Sequence, residues 1–332
     1  MKCNIKFVCI LLFCCSAQQL THAQDLFNVR SGNPVPEKVE QVYKKGLTFL
    51  VKTQGKNGRW SGSYGNQPGV VGLAVLAMLA HGVDPNFGPY SKNIRKGIDA
   101  ILGSANKSNG YIGSSMYNHG FATLALAEAY GAVNDKRIGP TLENAVKLLI
   151  TSQKRNSRGA WRYGPQSMDA DTTVAGACMV ALFAARNAGI AVPDKSIKKA
   201  LFFYKTCQNV DGGFGYTGPG SSNCPRTAIG ALVFALARKY KSRELRSAMA
   251  YLKQHSIRHN HYYYYYLYYM SQAAFQIDFE YWQKWNGINV KKLAATQKPD
   301  GSWNGNKGAT FTTAASLLSL ALNYRFLPIY ER

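Results

Sequence analysis

The sequence predicts an all-α fold, an α/α toroid of six helical hairpins, and two patterns carry this prediction. The first is a glycine closely followed by an aromatic residue, a mark that recurs at Trp60, Tyr111, Trp161, Phe214 and Trp303. The first four positions are 51, 50 and 53 residues apart, and the final gap of 89 leaves room for one more unit that has lost its aromatic residue. A fixed period of this length is typical of repeated supersecondary units.

The second pattern is an alternation between two kinds of predicted helix. Segments such as 39–50 and 196–204 place apolar residues at every third or fourth position and leave a Lys-rich face. Segments such as 69–80, 172–185 and 311–322 are almost uncharged. Because a helix that is apolar on every side has to be buried on every side, we expect an outer ring of amphipathic helices around an inner ring of apolar ones. No run of alternating β-branched residues predicts a sheet.

The N-terminus has the pattern of a secretory signal peptide. A positively charged start and an apolar run over residues 7–15 precede small residues that end at Ala23. We therefore expect residues 1–23 to be a signal peptide and residues 24–332 to form a single toroid domain. The expected location is secreted or periplasmic.

The chain is strongly basic, with a net charge of +23 from 40 Lys and Arg against 17 Asp and Glu. A basic exported protein favours anionic partners such as acidic polysaccharide, anionic lipid headgroups or phosphate. The simpler interpretation is a solvated, Lys-rich outer surface. No helix-turn-helix, zinc finger or base-stacking sheet is visible, so nucleic acid is not an expected partner.

Three cysteines remain beyond the predicted signal peptide: Cys178, Cys207 and Cys224. Three thiols allow at most one internal bridge, so disulfides do not build this fold. Cys207 and Cys224 flank one predicted loop, and the sequence leaves open whether they pair.

The fifth unit departs from the others because seven of the eight residues 262–269 are tyrosines. The regular helical context predicts a helix here, although the β-propensity of tyrosine makes a strand the alternative. A helix with tyrosines on every face places some of them in the central cavity. We expect Tyr264, Tyr265 and Tyr268 to contribute to ligand binding there.

A glutamine precedes four of the glycine-aromatic marks, at Gln54, Gln153, Gln208 and Gln297. Such a glutamine can bond backbone groups left free at a helix terminus, the glycine permits a tight turn, and the aromatic ring buries a large area. This pattern resembles the Gln-Trp repeats of the squalene cyclase and prenyltransferase superfamily. The resemblance covers residues 35–325 and is more specific for the fold than for the reaction.

The sharpest candidate for chemistry is the segment Asp169-Ala170-Asp171-Thr172-Thr173, which opens the third inner helix. It is similar to the Asp-x-Asp-Asp-Thr motif of squalene–hopene cyclases, which supplies the acid that protonates an alkene. The resemblance implies that Asp171 is the proton donor and Asp169 its partner. Thr172 stands where that motif has its last Asp, and the chain has one barrel where those cyclases have two. The alternative is that these carboxylates only cap the helix.

Zinc and cofactor binding are not expected. Prenyltransferases of this superfamily bind zinc through Asp, Cys and His, but no Asp lies two residues from Cys224. Asn223 or Cys224 as a helix N-cap before Pro225 accounts for that segment. Nucleotide-binding glycine loops are also absent from the sequence.

Several polar residues lie at predicted inner-helix starts: His119, His259, His261 and Arg226. Because the inner helices all start on one face, we expect these residues to lie near Asp171 at one mouth of the barrel. Histidine and arginine in such a place suit the binding of an anion or proton transfer beside a carboxylate. The alternative is a polar rim that satisfies helix N-termini.

Three functions follow from these observations, and the sequence does not decide whether the chain is catalytic. The first is a terpenoid cyclase-like protein that starts isoprenoid cyclisation with an acid in an aromatic-lined cavity. The second is a non-catalytic exported module that binds an apolar or anionic ligand. The third is a lyase or binder of acidic polysaccharide. An anionic membrane surface is a further expected partner.

Overall fold

The structure is a computed structural model that describes residues 34–255 and 262–331. Contacts divide the chain into two units, residues 1–37 and residues 38–332. The helices described below belong to the second unit, apart from the first residue of α1. The predicted signal peptide lies outside the described residues and stays a prediction.

Twelve α-helices alternate between an outer and an inner position within the described residues. The outer helices are α1 (Glu37–Thr53), α3 (Ser91–Leu102), α5 (Ile138–Arg155), α7 (Asp194–Cys207), α9 (Arg243–Gln254) and α11 (Phe279–Thr296). The inner helices are α2 (Pro68–Leu79), α4 (Met116–Ala129), α6 (Thr172–Asn187), α8 (Cys224–Leu236), α10 (Tyr263–Ile277) and α12 (Ala309–Leu320). Two 3₁₀ turns follow, Ala321–Asn323 and Pro328–Tyr330. This part of the chain contains no β-strand, which confirms the all-α prediction.

The inner helices form a closed ring. Each one packs against the next in the order α2, α4, α6, α8, α10 and α12, and α12 packs against α2. All twelve residues of α2 are buried, as are nearly all those of α4 and α6, whereas α3 and α9 bury only one stripe. The two-ring α/α toroid predicted from the helix alternation is therefore confirmed. The Tyr-rich segment is helical, as the repeat predicts.

The repeated glutamine joins consecutive hairpins. The Nε2 of Gln153 donates to Gly159 O at 2.9 Å and to Ser196 O, in the next outer helix, at 2.8 Å. Gln54, Gln208 and Gln297 repeat this pair of bonds with their own turn glycine and the following outer helix. The last of these bonds runs from Gln297 to Val42 O at 2.9 Å and thereby links the final turn to α1.

The glycine and the aromatic residue of the repeat have separate roles. Gly58 has a φ of +77°, and a Cβ there would lie 1.9 Å from Lys96 O, so the turn packs its backbone directly on the neighbouring helix. Trp161 is buried, and its indole N–H donates to Leu149 O at 2.9 Å. Trp60 and Trp303 make the same bond to Leu50 and Leu293. The repeat is thus a packing device, which explains why it predicts the fold and not the reaction.

Replacing Gln153 with alanine should lower the free energy of unfolding by about 2 to 6 kcal/mol. The substitution leaves the buried carbonyls of Gly159 and Ser196 without their donor, and each such loss costs about 1 to 3 kcal/mol. Urea unfolding followed by circular dichroism measures the change. Gln166→Ala is the matched control, because Gln166 is exposed in the loop before α6. Equal stabilities of the two variants would contradict the bridging role.

The end of the ring at which the inner helices finish is covered by the C-terminal segment. Ile329 N donates to Glu128 Oε2 at 3.3 Å near the end of α4, and Gln276 Nε2 donates to Glu331 O at 3.2 Å near the end of α10. Tyr330, which belongs to this segment, is buried. Ring contacts also span the centre itself, where Phe121 of α4 lies edge-on to Tyr268 of α10 with centroids 6.1 Å apart. The centre is therefore closed from this end.

Two further observations concern the thiols and the membrane. Cys178, Cys207 and Cys224 are buried and free, so Cys207 and Cys224 do not pair in this structure. Within residues 34–255 and 262–331, no helix is both long and apolar enough to cross a bilayer.

Candidate active site

The inner helices all begin at one end of the ring, which we call the mouth face. Direct bonds join neighbouring helix starts. Gly69 N in α2 donates to Asn118 Oδ1 in α4 at 3.2 Å, and Thr172 N in α6 donates to Tyr216 O at 2.9 Å. The mouth face consists of the loops that lead from outer to inner helices, with the described residues 54–67, 103–115, 156–171, 208–223, 255, 262 and 297–308.

Asp171 is the N-cap of α6, and one of its two carboxylate oxygens does all of the capping. Oδ1 accepts from Thr173 N at 2.9 Å, from Val174 N at 2.8 Å and from Thr173 Oγ1 at 2.6 Å. The capping predicted as the alternative role is therefore present. The second oxygen, Oδ2, takes no part in the capping.

Asp171 Oδ2 is buried and has no hydrogen-bond partner among the described residues. The side chain is 0% exposed, and its nearest cation is Arg162, whose Nε lies 3.6 Å from Oδ2. Burial raises the pKa of Asp171, and the Thr173 and Val174 bonds and the Arg162 charge oppose this rise without cancelling it. A buried carboxyl with one oxygen outside any described hydrogen bond and a raised pKa has the properties of a general acid.

Arg162 links Asp171 to Asp169. Its Nη1 forms an ion pair with Asp169 Oδ2, while its Nε faces Asp171. The guanidinium also lies over two rings, 5.6 Å from the centroid of Tyr163 and 5.4 Å from that of Tyr216. Asp169 itself is exposed, so the two carboxylates predicted as a pair share an arginine but occupy different environments.

Tyrosines surround the Asp171 end of α6. Tyr204 donates to Thr172 O at 2.5 Å, and Tyr265, from α10 across the ring, donates to Thr173 O at 3.5 Å. Burial raises the pKa of Tyr117, and the charge of Asp171 raises it further. Tyr163 and Tyr216 meet through their hydroxyls at 2.7 Å. The start of α6 thus lies among tyrosines, and Tyr265 reaches it at the Thr173 carbonyl.

The other two predicted tyrosines lie farther from Asp171. Tyr268 is one helical turn beyond Tyr265, buried against Phe121 and Tyr269 in the centre of the ring. Tyr264 is buried next to α12, where its ring approaches the Cβ position of Gly305 within 3.2 Å. Of the three, Tyr265 is the one whose hydroxyl reaches α6.

Of the predicted histidine and arginine residues, the two that the structure describes, His119 and Arg226, have partners other than Asp171. His119 is fully buried between α4 and α5, where Nδ1 accepts from Ile112 N at 3.1 Å and Nε2 lies 3.0 Å from Ala145 O. Burial lowers the pKa of His119 to about 4. Arg226 donates to Phe214 O at 3.3 Å and to Ser221 O, and so holds the loop before α8. His259 and His261 lie outside the described residues.

Sequence reasoning did not single out two residues that the structure brings into consideration, Arg162 and Glu128. Arg162 lies in the loop between the Trp161 mark and Asp169, outside any helix. Nothing in the sequence around it indicated a functional role. Glu128 lies in an apolar helix and is the single acidic residue of α4. A lone acid in an otherwise uncharged inner helix was the available signal, because such an acid has to be buried.

One open groove lies away from this site. It has a volume of about 300 Å³ and is lined by α9 residues such as Leu245, Met249 and Lys253 together with Tyr240 and Ile277. Its lining holds cations and apolar groups and no carboxyl group. It therefore offers no acid for chemistry, and Asp171 remains the candidate.

Comparison with known proteins extends the fold assignment. No protein-family model and no curated protein matches the chain. Among solved structures, the type II terpene cyclase MstE from Scytonema, bound to its substrate geranylgeranyl dihydroxybenzoate, is similar with a TM-score of 0.61 at 15% identity, over 87% of this chain and 98% of the cyclase.

Glycan hydrolases are also similar in structure. A GH76 α-1,6-mannanase from Salegentibacter has a TM-score of 0.65 at 11% identity, over 85% of this chain and 98% of the mannanase. A GH76 α-mannanase from Bacteroides thetaiotaomicron has a TM-score of 0.57 at 13% identity, over 86% and 96%. Identities this low show a shared fold and leave the chemistry to the residues of this chain.

Proposed function

We propose that the protein is a terpenoid cyclase-like enzyme that starts the cyclisation of an isoprenoid with a proton from Asp171. The observation that carries the proposal is that the two oxygens of the Asp171 carboxyl group lie in different environments. Oδ1 is held by three donors at the start of α6, while Oδ2 is buried and lacks a hydrogen-bond partner among the described residues.

The first step transfers the proton on Asp171 to the less substituted carbon of the terminal alkene of the substrate. The alkene π electrons form the new C–H bond, and a tertiary carbocation remains on the neighbouring carbon. The raised pKa keeps a larger share of Asp171 protonated before the step. Afterwards the N–H groups of Thr173 and Val174, the positive end of α6 and Arg162 stabilise the carboxylate that is left.

The later steps need surfaces that stabilise positive charge without reacting with it. The faces of aromatic rings do this through their quadrupole, and Tyr117, Tyr204, Tyr216 and Tyr265 supply rings around the start of α6. Successive attack of alkenes on the cation forms the rings, and loss of a proton ends the reaction. The substrate and product then have the same composition.

The test is an incubation of the protein with detergent-dispersed polyprenyl substrates, squalene and an aromatic acid carrying a geranylgeranyl chain, in H₂O and in D₂O. Cyclisation started by an acid gives an isomer of the substrate that carries one deuterium when the solvent is D₂O. Boiled protein is the control for uncatalysed reaction. Failure to form any isomer from either substrate would contradict the proposal.

A second candidate is a lyase or binder of acidic polysaccharide, and one observation favours it. The Tyr163 ring is about half exposed at the mouth face and stacks with Arg162, an arrangement that suits a sugar carboxylate on an aromatic platform. The same preparation should therefore be incubated with polygalacturonate and alginate, and also with α-1,6-mannan. New unsaturated or reducing ends would favour a glycan enzyme. Binding without any product would indicate a non-catalytic module.

A further inference from the structure

The open groove beside α9 has a continuous apolar lining. This lining includes the buried Leu245 and Met249, the exposed Ala250, the partly exposed ring of Tyr240, and Ile277 at the end of α10. The hollow has a volume of about 300 Å³, at the small end of the range of ligand sites in proteins. It can therefore hold a small ligand with a single apolar chain.

Two cations line the same groove, Arg246 and Lys253. They lie seven residues apart on α9, with Met249 between them on the same face of the helix. Lys253 Nζ is already paired with Asp278 Oδ2 at 2.7 Å. Arg246 is exposed, donates to the Lys241 carbonyl and forms no ion pair within the described part of the chain. Arg246 is thus the groove cation whose charge is not balanced by a described carboxylate.

The chain that leads to Arg246 is densely basic. Residues 238–246 include five basic residues among nine and a single acid, Glu244. Glu244 Oε1 is paired with Lys205 of α7 at 3.0 Å, so its charge is compensated from another helix. Arg246 also lies in the first turn of α9, where the helix dipole is positive. These charges together favour an anion at Arg246. The five basic residues, all of them exposed, are Arg238, Lys239, Lys241, Arg243 and Arg246.

We infer that this groove binds an amphipathic anion, a single apolar chain that ends in a carboxylate or a phosphate. The planar guanidinium of Arg246 suits either head group, because it can donate two parallel hydrogen bonds. The chain then lies against Met249 and Ile277. A neutral apolar ligand leaves the basic segment without a partner, and a sugar acid leaves the apolar lining without one. A molecule that carries both properties is the one that fits.

This binding site is independent of the proposed chemistry, since none of its residues contributes to the Asp171 site. It also joins the two rings, because Met249 belongs to the outer helix α9 and Ile277 to the inner helix α10. A ligand that contacts both helices binds the folded chain and not the unfolded one. Saturation of the groove should therefore raise the melting temperature, and the rise should increase with ligand concentration.

The first test measures the affinity for dodecyl phosphate and dodecanoate by isothermal titration calorimetry, below the concentrations at which they form micelles. We expect saturable binding that weakens as salt is added. Dodecyltrimethylammonium, which has the same chain and a positive head, should bind at least about tenfold more weakly. Arg246→Gln should weaken binding of the two anions about tenfold. The control Arg155→Gln removes the same charge from an exposed position on the outer helix α5 and should change the affinity less than about twofold. Equal affinities of the two variants would overturn the inference.

The second test separates occupation of the groove from general adhesion to a basic, apolar surface. Ala250 is exposed, so Ala250→Phe fills the groove without disturbing the core. It should weaken binding of dodecyl phosphate about tenfold, although it makes the surface more apolar. The control Ala295→Phe, at an exposed position on α11, should leave the affinity unchanged. Affinity that is kept or increased in Ala250→Phe would indicate adhesion and overturn the inference.

Two other anionic partners serve as further arms of the test. They are phosphatidylglycerol vesicles, which present the same chemistry as part of a bilayer, and polygalacturonate, which has carboxylates and no apolar chain. Binding to either of these without binding of the dispersed dodecyl anions would overturn the inference. Saturable binding of the dispersed anions that Arg246→Gln and Ala250→Phe both weaken would support it.

Discussion

Replacing Asp171 with asparagine should lower product formation by about 10³-fold, within the range that a positioned general acid contributes. Asparagine has the same shape, and its side-chain oxygen is as good an N-cap acceptor as that of aspartate. The variant should therefore keep the bonds from Thr173 N and Val174 N and remain folded. It has no acidic proton to give to an alkene. Rates of isomer formation, with circular dichroism as a check of folding, measure the effect.

The matched control is Asp169→Asn. Asp169 is exposed and paired with Arg162, so its loss should change the rate by less than about tenfold through a shifted arginine. A rate in Asp171→Asn that equals the rate in Asp169→Asn would leave Asp171 with the role of a helix cap.

The same assignment fixes the direction of the pH dependence. The pKa of Asp171 is raised by burial, and the proton donor is active in its protonated form. The rate at saturating substrate should therefore be highest at low pH and fall as pH rises through that pKa. A rate that increases over this range would indicate a general base in place of an acid.

The Glu128→Gln variant should be more stable than the wild type at alkaline pH. Burial raises the pKa of Glu128 from 4.5 to about 8, since its Oε1 has no described hydrogen-bond partner and its Oε2 accepts one bond from Ile329 N. The folded state therefore holds a proton that the unfolded state releases. The contribution of Glu128 to the stability of the wild type is most favourable below about pH 4.5 and falls as pH rises to about 8, by roughly 4 to 5 kcal/mol in all.

Glutamine resembles the protonated carboxyl and does not titrate, so the variant should not share this loss. The measurement is urea unfolding of both proteins at about pH 5 and about pH 9, and the quantity of interest is the change in their stability difference. Glu143→Gln is the control, because Glu143 is exposed on the outer helix α5. A stability difference for Glu128→Gln that does not vary with pH would contradict the buried, protonated state.

The fold was predictable from the sequence because each part of the repeat has a local physical cause. Gln153, Gly58 and Trp161 each serve backbone packing at a turn, and such requirements recur wherever two hairpins meet. The apolar character of α2 and α12 likewise depends on burial alone. The composition of each helix therefore predicts whether it belongs to the inner or the outer ring.

The candidate site was predictable only where it depends on a helix start. Asp171 lies at an N-cap, and a capping position fixes where a side chain lies. His119 lies within the first turn of α4, where a rotation of the helix by one residue decides between the mouth and the outer ring. That rotation is set by Ile112 N and Ala145 O, which bond its imidazole. Tyr264 and Tyr265 are adjacent in the sequence. The rotation of α10 about its axis decides which of them lies next to α12 and which reaches α6.

The bond from Gln297 to Val42 has a consequence for how the chain reaches its native state. An open row of hairpins can form one unit at a time, since each unit contacts only its neighbours. In a ring that joins residues 255 positions apart, the first hairpin is complete only after the last hairpin has formed. Such long-range contacts slow folding. Until the ring closes, the uncharged inner helix at each end of the row lacks one neighbour. Unfolding should correspondingly be a single cooperative event in which no arc of the ring survives alone.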